Sequence, residues 1–119
     1  MRIEFKITDE NINDIVCTAL EGGINYWCNR VKVKGGDYKG TECASDSVSL
    51  GATLLLHTID GEVAELNKSV LERGVALFME EDGYGIIDPE TLTLDTGQID
   101  ADVADIIIQL AVFGENIYG

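Results

Sequence analysis

The sequence predicts an α+β fold: a β-α-β unit, a β-hairpin and then two helices, with the helices packed on one face of a mainly antiparallel sheet. Three observations support this prediction. Apolar residues alternate in some stretches, recur at helical spacing in others, and flank an Asp-Gly pair in a third region. The 119 residues are within the usual size of one domain, so we expect residues 1–119 to form a single domain.

The chain begins with a strand pattern that passes into a helix pattern. Residues 3–7 alternate between apolar and charged side chains, which predicts a strand with one face on the core. Thr8 or Asp9 is expected to cap the helix that follows. Gly22 or Gly23 is expected to end this helix in a left-handed conformation, which glycine adopts without strain.

A second strand pattern follows the glycines. Alternation places Trp27, Val31 and Val33 on one face, and we therefore expect Trp27 to be a core anchor. A one-residue slip, or a bulge near Asn29, would instead turn Trp27 outward, because successive side chains point to opposite faces of a sheet. The other face carries the residues that we define as the basic strip: Tyr26, Arg30, Lys32 and Lys34.

The middle of the chain predicts a hairpin. Residues 41–49 are small and polar and indicate either a loop or a short edge strand. Asp60-Gly61 lies between two apolar runs, and this pair favours a two-residue turn with positive φ angles. Such a turn would place His57 opposite Ala64. Both faces of the hairpin carry leucines, so we expect it to be central in the sheet.

A helix, a turn and a brief strand are predicted next. Asn67 is expected to cap the helix, and Gly83 or Gly85 to stop it. The only proline, Pro89, indicates a turn. Residues 92–94 are expected to form a loop with a brief strand.

The last helix is predicted to be largely buried. Asp100 is expected to cap it and Gly114 to end it. Apolar residues cover most of its circumference, so only one stripe is expected to reach water. That stripe consists of Asp102, Asp105 and Gln109. Residues 116–119 are expected to dock on the core.

Charge is distributed unevenly in this chain, which has a net charge of −14. Residues 1–40 carry six acids and six bases, whereas residues 41–119 carry sixteen acids and two bases. An acidic surface repels the phosphate backbone, so we expect no direct nucleic-acid binding. No apolar run is long enough to span a membrane, and the expectation is a cytoplasmic protein.

Known chemical motifs are not matched. The three cysteines have the spacing of neither a disulfide framework nor a zinc site. A catalytic dyad would need His57, the single histidine, to activate Cys17, Cys28 or Cys43. Because His57 lies in a leucine-rich strand, a packed, hydrogen-bonded sheet histidine is the expectation. The acids around Gly97 do not fit a calcium-binding loop. We therefore predict no catalytic residue, cofactor or metal.

Two stretches near the ends of the chain are distinctive: Thr18-Ala-Leu-Glu-Gly-Gly-Ile-Asn-Tyr-Trp27 and Ile106-Ile-Ile-Gln-Leu-Ala-Val-Phe-Gly-Glu-Asn-Ile-Tyr-Gly119. At these residues the sequence resembles small uncharacterised proteins encoded by phages and prophages of Firmicutes. The resemblance implies a context and no activity. Small acidic phage proteins often inhibit host nucleic-acid enzymes by presenting carboxylates where DNA phosphates would lie.

The first functional hypothesis is a non-enzymatic acidic binding protein that engages the basic surface of a host protein, such as a nucleic-acid-binding or defence protein. We define the predicted acidic surface as Glu72, Glu80, Glu81, Asp82, Asp102 and Asp105. The alternative is a protein that binds or sequesters a small nucleotide-like ligand through the basic strip. That strip could equally be a subunit contact in a homodimer. A small enzyme is the third hypothesis.

Overall fold

The computed structural model describes residues 6–82, 85–88 and 90–119. In these ranges the chain forms helices α1 (Asp9–Thr18), α2 (Ala44–Ser47), α3 (Lys68–Asp82) and α4 (Ala101–Phe113), and strands β1 (Cys28–Val33), β2 (Leu54–Thr58) and β3 (Val63–Leu66). The strands form one antiparallel sheet in the order β1-β2-β3. The predicted α+β class is therefore confirmed, and β2 of the hairpin is the central strand.

The sheet has one buried face and one exposed face. Leu54, Leu56 and Leu66 are buried and belong to the same hydrophobic cluster as the apolar residues of α1, α3 and α4. Charged residues of the edge strands, such as Arg30 and Glu65, are exposed on the other face. None of the helices in the described ranges combines the length and the apolar composition that a membrane crossing requires.

Helices α3 and α4 are in close contact because a glycine lies between them. A Cβ atom at Gly74 would lie 2.6 Å from both the Ala111 Cβ and the Ile107 carbonyl oxygen. Real side chains do not tolerate such distances, so the close approach of the two helices requires glycine here.

The start of α1 is confirmed and its end is different from the prediction. Thr8 Oγ1 accepts from the Asn11 amide at 3.1 Å, and Asn11 Oδ1 accepts from the Thr8 amide at 3.0 Å, forming a capping box. A π-helical turn, Ala19–Gly23, continues the helix. Neither glycine of the pair has a positive φ, so the predicted left-handed end is wrong. Gly23 is needed because a Cβ there would lie 2.7 Å from the Ala101 carbonyl oxygen.

Trp27 is fully buried, as predicted, although β1 also contains the bulge that was expected to turn it outward. The pairing of β1 with β2 shifts between Cys28 and Arg30. Trp27 precedes this irregularity and is fixed by backbone bonds, including one from the Ile59 amide to its carbonyl at 2.9 Å. The extra residue, Asn29, instead places Cys28 on the buried side of the sheet.

The hairpin register differs from the prediction by one residue. His57 lies opposite Val63, and Ala64 lies opposite Leu56. The Thr58 amide donates to the Glu62 carbonyl at 2.8 Å, so the loop between them has three residues and not two. Gly61, with φ of +86°, occupies the left-handed position of a bulge, which is the usual arrangement in three-residue loops.

Other predictions are mixed. Asn67, Asp100 and Gly114 cap their helices as expected. Residues 41–49 contain α2 and the start of a 3-10 turn. Both alternatives predicted for this segment, a loop and a short edge strand, are therefore wrong. The brief strand is represented by single bridges from Thr93 to Lys6 and from Leu94 to Ile87. Residues 3–5 of the predicted first strand, Gly83 and Pro89 lie outside the described residues.

Candidate functional site

A buried carboxylate joins the turn before β1 to α4. Asp105 is only 8% exposed. Its carboxylate accepts hydrogen bonds from the Trp27 indole nitrogen at 2.7 Å, the Tyr26 hydroxyl at 2.5 Å and the Gln109 amide nitrogen at 2.8 Å. A buried carboxylate needs several donors to offset its lost hydration, and these three groups supply them.

The C-terminal tail closes over the same place. Gln109 Oε1 accepts from the backbone amides of Ile117 and Tyr118, each at 2.8 Å. The Tyr118 ring stacks on Trp27 with centroids 5.3 Å apart and planes 1° apart. Its hydroxyl donates to Asp60 at 2.6 Å. The predicted docking of the tail is therefore confirmed. We call Tyr26, Trp27, Asp105, Gln109 and Tyr118 the Asp105 network.

This network corrects the predicted acidic surface. Asp105 and Gln109 were expected in a water-facing stripe, but both are buried. The prediction that this stripe reaches water is wrong for these two residues, because the aromatic turn and the tail cover that side of α4. Asp102, three residues before Asp105, is exposed as expected. Asp105 therefore acts as an internal acceptor and does not belong to the surface.

The Tyr26 hydroxyl is hydrogen-bonded to Asp105, although the residue as a whole is half exposed. Desolvation and the hydrogen bond to Asp105 raise the pKa of the Tyr26 phenol to about 12. The hydroxyl is thus protonated at neutral pH and donates to Asp105. The protonated Tyr26 phenol is therefore not available as a base for proton abstraction. The exposed part of the residue can contact another molecule.

The structure divides the basic strip. Arg30 and Lys32 are exposed on the outer face of the sheet, and neither forms an ion pair with any described residue. Lys34 instead pairs with Glu65 at 3.1 Å. Tyr26 belongs to the Asp105 network. Only Arg30 and Lys32 of the four predicted residues are therefore together and unpaired.

A small cavity of about 140 Å³ lies beside the end of β1. Its lining consists of Lys34, Asp37, Lys39, Gly51, Ala52 and Thr53. Lys39 pairs with Asp37 at 2.9 Å, and this contact lowers the pKa of the Asp37 carboxyl. Both lysines of the cavity thus have acidic partners, Asp37 within the lining and Glu65 outside it.

The acidic surface lies on α3 and α4. Glu72, Glu80, Glu81 and Asp102 are exposed. The side chain of Asp82 is outside the described part of the structure. No ion pair within that part includes any of the four exposed acids.

His57 and Cys28 do not form a dyad. Cys28 is on the buried side of β1, where burial raises the pKa of its thiol. His57 lies opposite Arg30 and Val63, two residues with exposed side chains. The predicted packed histidine is partly buried, but its Nε2 atom is buried without a hydrogen-bond partner in the described structure. Its predicted hydrogen bonding is therefore missing at this nitrogen.

Metal-binding groups and known relatives add no further site. Within the described ranges, no three His, Cys, Asp or Glu side chains are grouped as metal ligands would be. Comparison with protein-family models, with curated proteins and with solved structures found no match.

The Asp105 network was missed by sequence reasoning, although one signal for it exists. Asp105 and Gln109 are four residues apart, so they share one side of an otherwise apolar helix. A buried tryptophan needs an acceptor for its N–H group. Together these two facts favour polar residues of α4 as partners of Trp27.

Proposed function

We propose that this chain is a non-enzymatic binding protein whose exposed carboxylates engage a basic surface of another protein. The observation that carries the proposal is the lack of cationic partners for these groups. Glu72, Glu80 and Glu81 on α3 and Asp102 on α4 are exposed and form no ion pair within the described residues. Uncompensated surface charge attracts an oppositely charged partner and increases the association rate.

The two bases of residues 41–119 are already engaged. Lys68 pairs with Asp9 of α1 at 3.0 Å. The Arg73 guanidinium donates to the Ala111 carbonyl oxygen at 2.8 Å, near the C-terminal end of α4. Neither base is directed at the carboxylates of the acidic surface, so their negative field is available to a partner.

A host protein that binds nucleic acid, or a host defence protein, is the partner class that fits this surface. Such proteins carry grooves lined with lysine and arginine for phosphates. Carboxylates on a rigid helix can occupy the same groove. The expected phage context is consistent with this inhibitory role. Replacement of a phosphate by a carboxylate implies competition between this chain and DNA for one groove.

The experiment is a pull-down from a Firmicute lysate with the immobilised chain, followed by elution with increasing salt. The test variant carries Glu72→Gln, Glu80→Gln and Glu81→Gln. The control variant carries Glu42→Gln, Glu90→Gln and Glu115→Gln, three exposed acids outside α3 and α4. Both variants lose the same charge, so they differ only in where it is lost.

We expect the wild type and the control to retain a basic protein that elutes as salt rises, and the α3 variant to lose it. A recovered partner should also be released by DNA. If both variants lose the partner equally, the attraction depends on net charge and the acidic surface is not a site. Recovery of nothing that salt releases would overturn the proposal.

A further inference from the structure

One edge of the sheet offers free backbone groups. The Lys34 amide donates to the Thr53 carbonyl at 2.8 Å, which fixes the hydrogen-bonding phase between β1 and β2. Because bonded and non-bonded pairs alternate in antiparallel sheets, Arg30 and Lys32 direct their backbone groups toward β2. The Val31 N–H and C=O and the Val33 N–H therefore point away from it.

β1 has no second strand beside it in the described ranges. β2 is its only partner there, because β1 is the first strand of the order β1-β2-β3. No backbone bond from another described segment reaches the outward groups of Val31 and Val33. An edge with unpaired N–H and C=O groups is a template for one more strand.

The side chains beside this edge select the charge of such a strand. Arg30 and Lys32 are exposed on the same face of β1 and have no acidic partner among the described residues. Residues two apart on a strand are separated by about 6.7 Å, and alternate residues of an added strand have the same spacing. Acidic side chains at alternate positions would therefore pair with both bases.

The other face of β1 favours apolar residues in the added strand. Val31 is half-buried and Val33 is buried, so the side chains between the acidic ones would lie next to the rim of the core. The fitting segment thus alternates Asp or Glu with Val, Ile or Leu. A second copy of β1 does not fit, because antiparallel pairing would set its bases opposite Arg30 and Lys32, and like charges opposite each other are destabilising.

We propose that the open edge of β1 binds an extended acidic-apolar segment of a partner protein as a fourth strand. The site is separate from the acidic surface of α3 and α4. That surface binds a basic partner, whereas the β1 edge binds an acidic one. At physiological salt the Debye length is about 8 Å, so distant acids of this chain are screened from the bound segment more than Arg30 and Lys32 are.

Basic residues and bulges also protect sheet edges from unwanted pairing, and β1 has both features. The two roles predict different results when the bases are removed. A protective strip would leave acidic peptides unbound and allow self-association after neutralisation. A binding strip would capture acidic peptides and lose them after neutralisation.

The test uses fluorescence polarisation with a labelled peptide in which Glu and Val alternate. A second peptide has the same composition with the Glu residues in one block. The full chain is compared with the Arg30→Gln, Lys32→Gln double variant. Its control is Lys6→Gln, Lys39→Gln, which changes the charge equally at exposed bases outside β1.

We expect the alternating peptide to bind better than the block peptide, and the Arg30, Lys32 variant to lose about tenfold in affinity, as two cross-strand ion pairs imply. The control should bind as the wild type does. In addition, hydrogen exchange at the Val31 and Val33 amides should slow when the peptide binds. This measurement does not depend on any variant folding.

Several outcomes would overturn the proposal. These are an absence of peptide binding, equal binding of the two peptides, equal loss in both variants, or unchanged exchange at Val31 and Val33. A single-stranded oligonucleotide or ATP that binds more tightly than the peptide through Arg30 and Lys32 would assign the strip to phosphate ligands instead. Increased self-association of the Arg30, Lys32 variant without peptide binding in the wild type would assign it to edge protection.

Discussion

The Trp27 indole nitrogen donates a 2.7 Å hydrogen bond to the carboxylate of Asp105, seventy-eight positions further along the chain. Both residues are buried. Trp27 also stacks on Tyr118 of the docked tail, and Asp105 accepts a bond from Gln109, which binds the tail backbone. One carboxylate thus holds together the aromatic turn, α4 and, indirectly, the tail. Removal of that carboxylate should loosen all three segments at once.

Asp105→Ala should lower the free energy of unfolding by about 3 kcal/mol. It leaves the Trp27 N–H buried without an acceptor, at about 1–3 kcal/mol, and removes the bonds from Tyr26 and Gln109, at about 1 kcal/mol each. The loss of a buried charge offsets part of this cost. Urea denaturation followed by the fluorescence of Trp27, the only tryptophan, measures the change. The exposed neighbour provides the control: Asp102→Ala should stay within about 0.5 kcal/mol of the wild type. Equal midpoints for the two variants would contradict the role of the network.

The Asp105 network also shows why the sequence predicted its parts but not their connection. Burial of Trp27 and docking of the tail follow from local apolar patterns. The helical period of α4 likewise places Asp105 and Gln109 on one side. Whether that side faces water depends on the turn and the tail that cover it, and these are distant in sequence. The same period therefore predicted an exposed stripe where the structure has a buried one.

Elsewhere too, features that depend on neighbouring residues were predicted more reliably than strand pairing and surface geometry. The caps at Thr8, Asn67 and Asp100 depend on neighbouring residues only, and all three were predicted. The hairpin register depends on the loop conformation, and Gly61 as a bulge residue shifted it by one. For the candidate site, the exposure of Arg30 followed from strand alternation, but its position next to an open sheet edge required the strand order.

Tyr118→Ala should destabilise the protein and change the emission of Trp27. It removes the ring that stacks on the indole, and loss of an aromatic pair together with its buried area amounts to about 1–3 kcal/mol. Water then reaches the indole, so its emission should shift to longer wavelength in the folded state. Tyr118→Phe is the matched control, because it retains the ring and loses only the exposed bond to Asp60. A red shift in both variants, or in neither, would show that stacking does not shield Trp27.

The neighbouring glycines Gly22 and Gly23 should respond oppositely to alanine. A Cβ at Gly22 meets no atom within 4 Å, whereas a Cβ at Gly23 lies 2.7 Å from the Ala101 carbonyl oxygen. Gly22→Ala should therefore stabilise the protein by about 0.5–1 kcal/mol through reduced freedom of the unfolded chain. Gly23→Ala should destabilise it by about 1–3 kcal/mol, because backbone of α4 must move. Thermal denaturation compares the two directly, and a shift in the same direction for both would contradict the close contact with α4.

Tyr26 should make stability fall at alkaline pH. The pKa of its phenol is raised from 10.0 to about 12 in the folded protein, so the protonated form is favoured by folding. The contribution is therefore complete below about pH 10 and is lost as the pH rises toward 12, because the unfolded chain releases the proton first. The raised pKa of Tyr118, caused first by its hydrogen bond to Asp60, acts in the same direction.

The urea midpoint, measured between about pH 8 and pH 11, tests this pH dependence. The wild type should lose stability over this range more steeply than Tyr26→Phe, which has no hydroxyl to titrate at this position. Tyr38→Phe provides the control, since within the described structure the Tyr38 hydroxyl takes part in no hydrogen bond and the residue is 40% exposed. It should follow the wild-type curve. If Tyr26→Phe and the wild type fall with the same slope, then the bond between Tyr26 and Asp105 does not contribute to folding, and the network depends on Trp27 and Gln109 alone.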